Sequence, residues 1–278
     1  MRKKQDCFKD ADYVEYLEKN FFLSLSQKNP ALTKLKFEET FLLSRNPYLC
    51  YTMAKYLKCA NIPALARVVI ESKDAKWNYE FALNVEGAKK EEHAAAVIKS
   101  GNPEYNYYFA RYVKGMNIWA HGLAVLKSKD PKYNFLFARY VKDASIRAHE
   151  KAVLATKDAT YALKFAAEIK GANIKAFEAV ILNYRKPKYC YEFAKIPGAN
   201  VKAHEDIIAK CGDIDYIYKF ALLVPGANII RLAHILHKMD HNGEYLESLI
   251  RIKFLRNGQF FYDEHKEDKH IQMLSRIK

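Results

Sequence analysis

A repeat of 28 residues runs through most of this chain and constrains its fold more than any other feature. Aligned copies begin at Asn46, Asp74, Asn102, Asp130, Asp158, Lys186 and Asp213, and the fourth reads DPKYNFLFARYVKDASIRAHEKAVLATK. The sixth copy is one residue short, between Lys195 and Pro197. A fainter copy spans 18–45, where Phe21, Phe37 and Phe41 hold matching positions, and a degraded one begins near His241. Repeat arrays need atypical end units to shield their open faces, so these two read as caps. Positions within a copy are numbered 1 to 28.

Each copy carries two sets of helix punctuation. Position 1 is mostly Asp or Asn, and position 2 is proline in four copies (Pro47, Pro103, Pro131, Pro187). That is a side-chain cap followed by the one helical site where proline costs nothing. Glycine at position 14 (Gly87, Gly115, Gly171, Gly198, Gly226) is expected to stop this helix A. Asn at position 16 (Asn61, Asn117, Asn173, Asn200, Asn228) then caps a helix B. The loss of a residue in the sixth copy, with Pro197 and Pro225 at position 13, is expected to shorten helix A in the last two copies.

On helix A, position 4 (Trp77, Tyr105, Tyr133), position 8 (Phe81, Phe109, Phe137, Phe165), Ala at 9 and an aliphatic residue at 12 make one apolar arc. On helix B the same holds for position 17 (Ile62, Ile118, Ile146, Ile174) and for 23, 24 and mostly 25. A hairpin of this kind cannot bury both faces alone and must stack on its neighbours. The expectation is an all-α, right-handed α-solenoid of about seven 28-residue hairpins in one continuous domain. Residues 1–45 and 241–278 form the caps, and 46–240 the array.

In this hairpin plan the chain resembles the HEAT-like class of short α-hairpin repeats, and the shorter repeats common in phage and large-virus proteins. The resemblance covers 18 to about 255 and rests on the hairpins, with no functional motif behind it. It implies a binding scaffold, and a host-interaction or anti-defence role would fit a stand-alone array.

Charge narrows the partner. Lys plus Arg number 46 against 32 acidic residues, a net +14, and residues 46–240 hold 30 cations against 19 carboxylates. An acidic partner suits that excess. Helix A positions 3, 6, 10 and 13 fall on one stripe beside the core arc. Position 6 is aromatic in six of seven copies (Tyr51, Tyr79, Tyr107, Phe135, Tyr191, Tyr218). Position 10 is cationic in four (Lys55, Arg111, Arg139, Lys195), and so is position 13 (Lys58, Lys114, Lys142, Lys170). Open rings alternating with cations are the chemistry of sequence-tolerant nucleic-acid grooves. The competing reading has the rings fill the seam between repeats and the lysines answer the helix dipole. Near-identity of the stripe from copy to copy argues against a base-by-base code, since such readers vary their reading residues.

Histidine recurs at position 20 (His93, His121, His149, His204), with Leu65, Phe177 and Leu232 in other copies. Zinc needs its nitrogens at about 2.0–2.1 Å, whereas stacked helices lie roughly 8–10 Å apart. The ladder therefore reads as semi-buried packing, its polar edge bonded to a tyrosine hydroxyl or a carbonyl. Glu150, Glu178 and Glu205 follow Arg147, Lys175 and Lys202 by three residues and read as surface pairs. His234, His237 and His241 share one helical face that could hold a metal if the last helix B runs on, whereas Asn242 and Gly243 suggest that it ends.

No G-x-S-x-G, phosphate-binding glycine loop, H-E-x-x-H or deaminase set occurs, so no enzyme and no cofactor are expected. Asp206, Glu80 and Glu192 are isolated acids. Five cysteines without a C-x-x-C pair, a charged first stretch and no long apolar run point to a cytoplasmic protein without a membrane span. The expected function is a noncatalytic scaffold for a protein partner, acidic or itself handling nucleic acid. Direct nucleic-acid binding along the stripe is the alternative.

Overall fold

The computed structural model describes residues 38–57, 60–240, 242–253, 255–256 and 259–260. It is all-helical apart from a two-residue antiparallel strand pair, in which Leu255 faces Phe260 and Arg256 faces Gln259. Helices A and B alternate: α1 (Pro47–Tyr56), α2 (Ile62–Glu71), α3 (Ala75–Asn84), α4 (Lys90–Ser100), α5 (Pro103–Tyr112), α6 (Ile118–Ser128), α7 (Pro131–Tyr140) and α8 (Ile146–Thr156). They continue as α9 (Ala159–Glu168), α10 (Ile174–Tyr184), α11 (Pro187–Ala194), α12 (Val201–Ile208), α13 (Ile214–Leu223), α14 (Ile229–Met239) and α15 (Glu244–Lys253). The chain divides into two units, one ending at His149 and one beginning at Glu150. Within each, a helix A packs on its own helix B and on the helix A of the next copy, the pattern of a helical repeat. Most of the expected caps, 1–37 and 261–278, lie outside the described residues. Among the described residues, no helix is long and apolar enough to cross a membrane.

The sequence punctuation works as expected at the helix starts. Asp74, Asn102, Asp130 and Asp158 each accept the second and third N–H groups of a helix A. Asn61, Asn117, Asn173, Asn200 and Asn228 each cap a helix B. Helix A stops earlier than its glycine. The aliphatic residue at position 12 turns extended and buries its side chain, as Val113 does at φ −93° and 4% exposure. Position 14 then closes the turn in the left-handed region, with Gly115 at φ 83° and Asp143 at 62° in the fourth copy. Serine or threonine at position 27 clasps the other turn: Ser100 Oγ donates to the Val97 carbonyl and accepts the Asn102 N–H.

The missing residue shortens α11 to eight residues, whereas α13 keeps ten despite Pro225. Val224 before that proline is already extended, the conformation a pre-proline residue prefers, so the helix loses nothing.

The core follows the helix A arc. Phe81, Phe109, Phe137, Phe165, Phe193 and Phe220 are sealed, as are Val69, Val97, Val125, Val153, Ile181, Ile208 and Leu236 at position 24. Position 17 departs from expectation. Its residues are only half-buried and Ile146 is exposed, because the first turn of helix B lies at the rim of the hairpin.

Candidate binding surfaces and the buried polar ladder

The helix A stripe separates by depth. Tyr51, Tyr79, Tyr107, Phe135 and Tyr191 are less than a tenth exposed, and Tyr218 is half-buried with its hydroxyl 2.9 Å from Ser248 Oγ. The open alternation of rings and cations is thereby corrected. Position 6 turns inward to pack on the next copy, as Tyr79 does on Tyr105, Tyr108 and Phe109 and Tyr107 on Tyr133.

The cations lie over this seam. Arg111 Nη1 donates to the Tyr107 hydroxyl, and its guanidinium carbon stands 5.0 Å from the Tyr112 centroid and 4.5 Å from that of Tyr140. Arg139 lies 5.8 Å from Phe135 and 5.0 Å from Tyr140. Lys55 covers Tyr51 and Tyr56, and Lys195 covers Tyr191 while bonding Glu192 at 2.6 Å. Arg111 and Arg139 are exposed, as are Lys114, Lys142 and Lys170 in the turns that follow helix A. Lys58 lies outside the described residues.

Two features of this surface escaped the sequence reading. Tyr112 and Tyr140, at position 11, are the exposed rings, at 46% and 43%. They stand one residue beyond the arginines, where a helical stripe drawn at 3, 6, 10 and 13 passes them by. The other is position 28, which takes left-handed backbone in Arg45, Lys73, Lys129, Lys157 and Arg185 (φ 50–57°) and in Gly101 and Gly212. Glycine is the residue that conformation favours, so a cation held there in five copies is a signal that only backbone angles reveal.

The histidine ladder is a core element. His93, His121, His149 and His204 are at most 1% exposed, which corrects the semi-buried reading. In three copies the partner is the asparagine at position 5, and neither a tyrosine hydroxyl nor a carbonyl. His93, His121 and His149 Nδ1 each lie 2.8 Å from the Oδ1 of Asn78, Asn106 and Asn134. The Asn106 amide donates to the Val97 and Asn102 carbonyls, and Asn78 and Asn134 do the same in their copies. With both amide hydrogens used, Oδ1 must accept, so the ring carries its proton on Nδ1. Nε2 of His93 and His121 is then a buried acceptor without a partner among the described residues. Each ring stacks on the position 8 phenylalanine of its copy, 4.7–4.9 Å between centroids. Burial pushes all three imidazoles down to about 4.

Glu150, Glu178 and Glu205 also differ from the surface pairing expected of them, and Glu38 shares their role. Each accepts the backbone N–H of the next copy's helix B cap (Asn61, Asn173, Asn200, Asn228) at 2.5–3.0 Å. An acid at position 21 reaches across the repeat boundary because the positive end of the following helix lies there. Glu178 also holds His204 Nε2 at 3.2 Å, and Glu205 shares Arg231 with Asp206.

His234 is half-buried and His237 exposed on α14, which ends at Met239; His241 lies outside the described residues. Asp240 is taken up by the N–H groups of Gly243, Tyr245 and Leu246. No three His, Cys, Asp or Glu side chains come together to hold a metal among the described residues. Of the isolated acids, Asp206 bonds Arg231, Glu80 bonds Asn84 and Glu192 bonds Lys195. Compared with known protein families, curated proteins and solved structures, the chain matches none.

Proposed function

We propose that the chain is a noncatalytic scaffold whose hairpins stack in the right-handed sense of an α-solenoid and whose helix A surface engages an acidic protein partner in the cytoplasm. The observation that carries this reading is the separation by depth: the position 6 rings are sealed while Arg111 and Arg139 stay exposed beside Tyr112 and Tyr140. With the position 6 rings withdrawn into the seam, the repeated stacking row of a single-strand groove is reduced to Tyr112 and Tyr140. Arginine and tyrosine together are the side chains that anchor protein interfaces. Lys114 and Lys142 add exposed charge in the same unit.

The experiment titrates labelled poly-glutamate peptide, single-stranded RNA, single-stranded DNA and duplex DNA against the protein at low and physiological salt. The expected result is peptide binding that survives physiological salt and is lost in Arg111→Glu/Arg139→Glu, with nucleic-acid binding fading as salt rises. Nucleic-acid binding that persists at physiological salt and collapses in the same variant would replace this reading with direct nucleic-acid recognition.

A further inference from the structure

The second unit carries an open groove of about 650 Å³ between the end of α8 and α10, floored by Leu154, Ala176, Ala179 and Val180 and flanked by Lys157 and Tyr184. Comparison among the copies shows why it opens here. Position 26 is charged in five copies (Glu71, Lys99, Lys127, Lys210, Lys238) and becomes Ala155 and Asn183 in the two that form the groove. Position 22, which carries Arg67, Leu123, Lys151, Asp206 or His234 in five copies, is Ala179 here and Ala95 in the second. Ala155, Ala179 and Asn183 thus stand where most other copies carry longer side chains, while the fourth copy keeps Lys151 at position 22.

Lys157 lines the groove, and the unpaired charges of α8, α10 and the residues that end them are of one sign. Lys151, Lys157, Lys175 and Arg185 are exposed and hold no ion pair or side-chain hydrogen bond among the described residues. Lys157 and Arg185 stand in left-handed backbone where two other copies use glycine. Both carboxylates of these helices are engaged, Glu150 with the Asn173 N–H and Glu178 with the Asn200 N–H and His204. Asp158 caps α9.

We infer that this groove receives an amphipathic helix of a protein partner, with its apolar face on Leu154, Ala179 and Val180 and acidic residues against the four cations. An apolar strip between two helices is the seat of helix-in-groove recognition, and the unpaired cations select the sign of the flanks. The inference rests on the scaffold reading but uses a surface separate from the Arg111 face.

The test uses a short labelled helical peptide with leucines at i, i+3 and i+7 and glutamates on its flanks, beside its lysine-flanked twin and a duplex DNA. The glutamate peptide should bind, and Ala179→Lys/Asn183→Lys, which restores the side-chain type of other copies at exposed sites, should weaken it at least ~10-fold. Lys157→Glu/Arg185→Glu should reverse the preference toward the lysine twin, a gain that misfolding cannot mimic. Arg111→Glu/Arg139→Glu should leave peptide affinity within ~2-fold. Peptide binding that is lost in the Arg111/Arg139 variant and kept in the groove variants overturns the groove while leaving the scaffold reading intact. So does duplex DNA that displaces the peptide, or no peptide binding up to ~1 mM.

Discussion

Most copies before and after the boundary at His149 fill the same slot with opposite chemistry. In the first unit, three of the four copies pair positions 5 and 20 as Asn78–His93, Asn106–His121 and Asn134–His149, while the copy that begins at Asn46 has buried Cys50 and Leu65 there. In the second, two of the three copies pair Ala162 with Phe177 and Ile217 with Leu232, all buried apolar residues. The ring slot itself is unchanged: Phe177 stacks on Phe165 at 5.1 Å, as His121 does on Phe109 at 4.9 Å. The two positions therefore change together, because a buried imidazole needs an acceptor and a buried asparagine needs a donor to use it. The sixth copy breaks the pairing, Cys190 with His204, and there Glu178 from the preceding copy supplies the bond. A polar pair brings a specific contact at the cost of desolvation, and it makes one unit sensitive to acid where the other is much less so.

Acidification should produce the largest difference between the units. His93, His121 and His149 fall from an ordinary 6.5 to about 4 in the folded chain, so the unfolded state takes up protons first as pH drops. Their stabilisation is full above pH 6.5 and declines from there through about 4. The full shift corresponds to roughly 3 kcal/mol per histidine. Amide exchange read separately for 85–149 and 159–240 should show the first stretch losing protection much faster between pH 7 and pH 4.5. Equal loss in both would contradict the assignment of the acid sensitivity to the Asn–His pairs.

Breaking one pair comes next. Asn106→Ala leaves the His121 Nδ1–H and the Val97 carbonyl without their partner and should cost about 2–4 kcal/mol by chemical denaturation. Adding His121→Phe, which reproduces the Ala162–Phe177 arrangement, should recover most of that loss and flatten the acid response of its copy. A double variant as unstable as the sum of its singles would show that the slot is not interchangeable.

Among the capping carboxylates, Glu150→Ala should cost about 1 kcal/mol by exposing the Asn173 N–H. Glu205→Ala should cost more, since Arg231 loses a partner too. Per residue, the smallest effect on stability belongs to the functional surface. Arg111→Glu/Arg139→Glu removes exposed stacking worth about 0.5–1 kcal/mol per arginine, and should leave the thermal midpoint within a few degrees.

Much of this was legible in the sequence. The caps at positions 1 and 16 and the phenylalanine at 8 follow from spacing alone, because capping and burial are local or periodic demands. The Asn at position 5 carries no capping or apolar signal, although it recurs beside the core arc in Asn78, Asn106 and Asn134. Its covariation with position 20 could have exposed the pair, but a periodic apolar arc gives no reason to look for a buried amide. The reach of Glu150 and Glu205 to the next copy was hidden for a different reason: i, i+3 spacing to a cation is visible in one helix, whereas a neighbour's N–H groups appear only once hairpins stack. The depth of the position 6 rings was likewise undetermined, since one helical turn separates a seam from a groove.

The most direct measurement of the central claim is an amide chemical-shift map of the protein as poly-glutamate peptide is added at physiological salt. The perturbations should centre on Arg111, Tyr112, Lys114, Arg139, Tyr140 and Lys142 and disappear in Arg111→Glu/Arg139→Glu. Perturbations spread evenly over every exposed lysine, or confined to other faces, would contradict it.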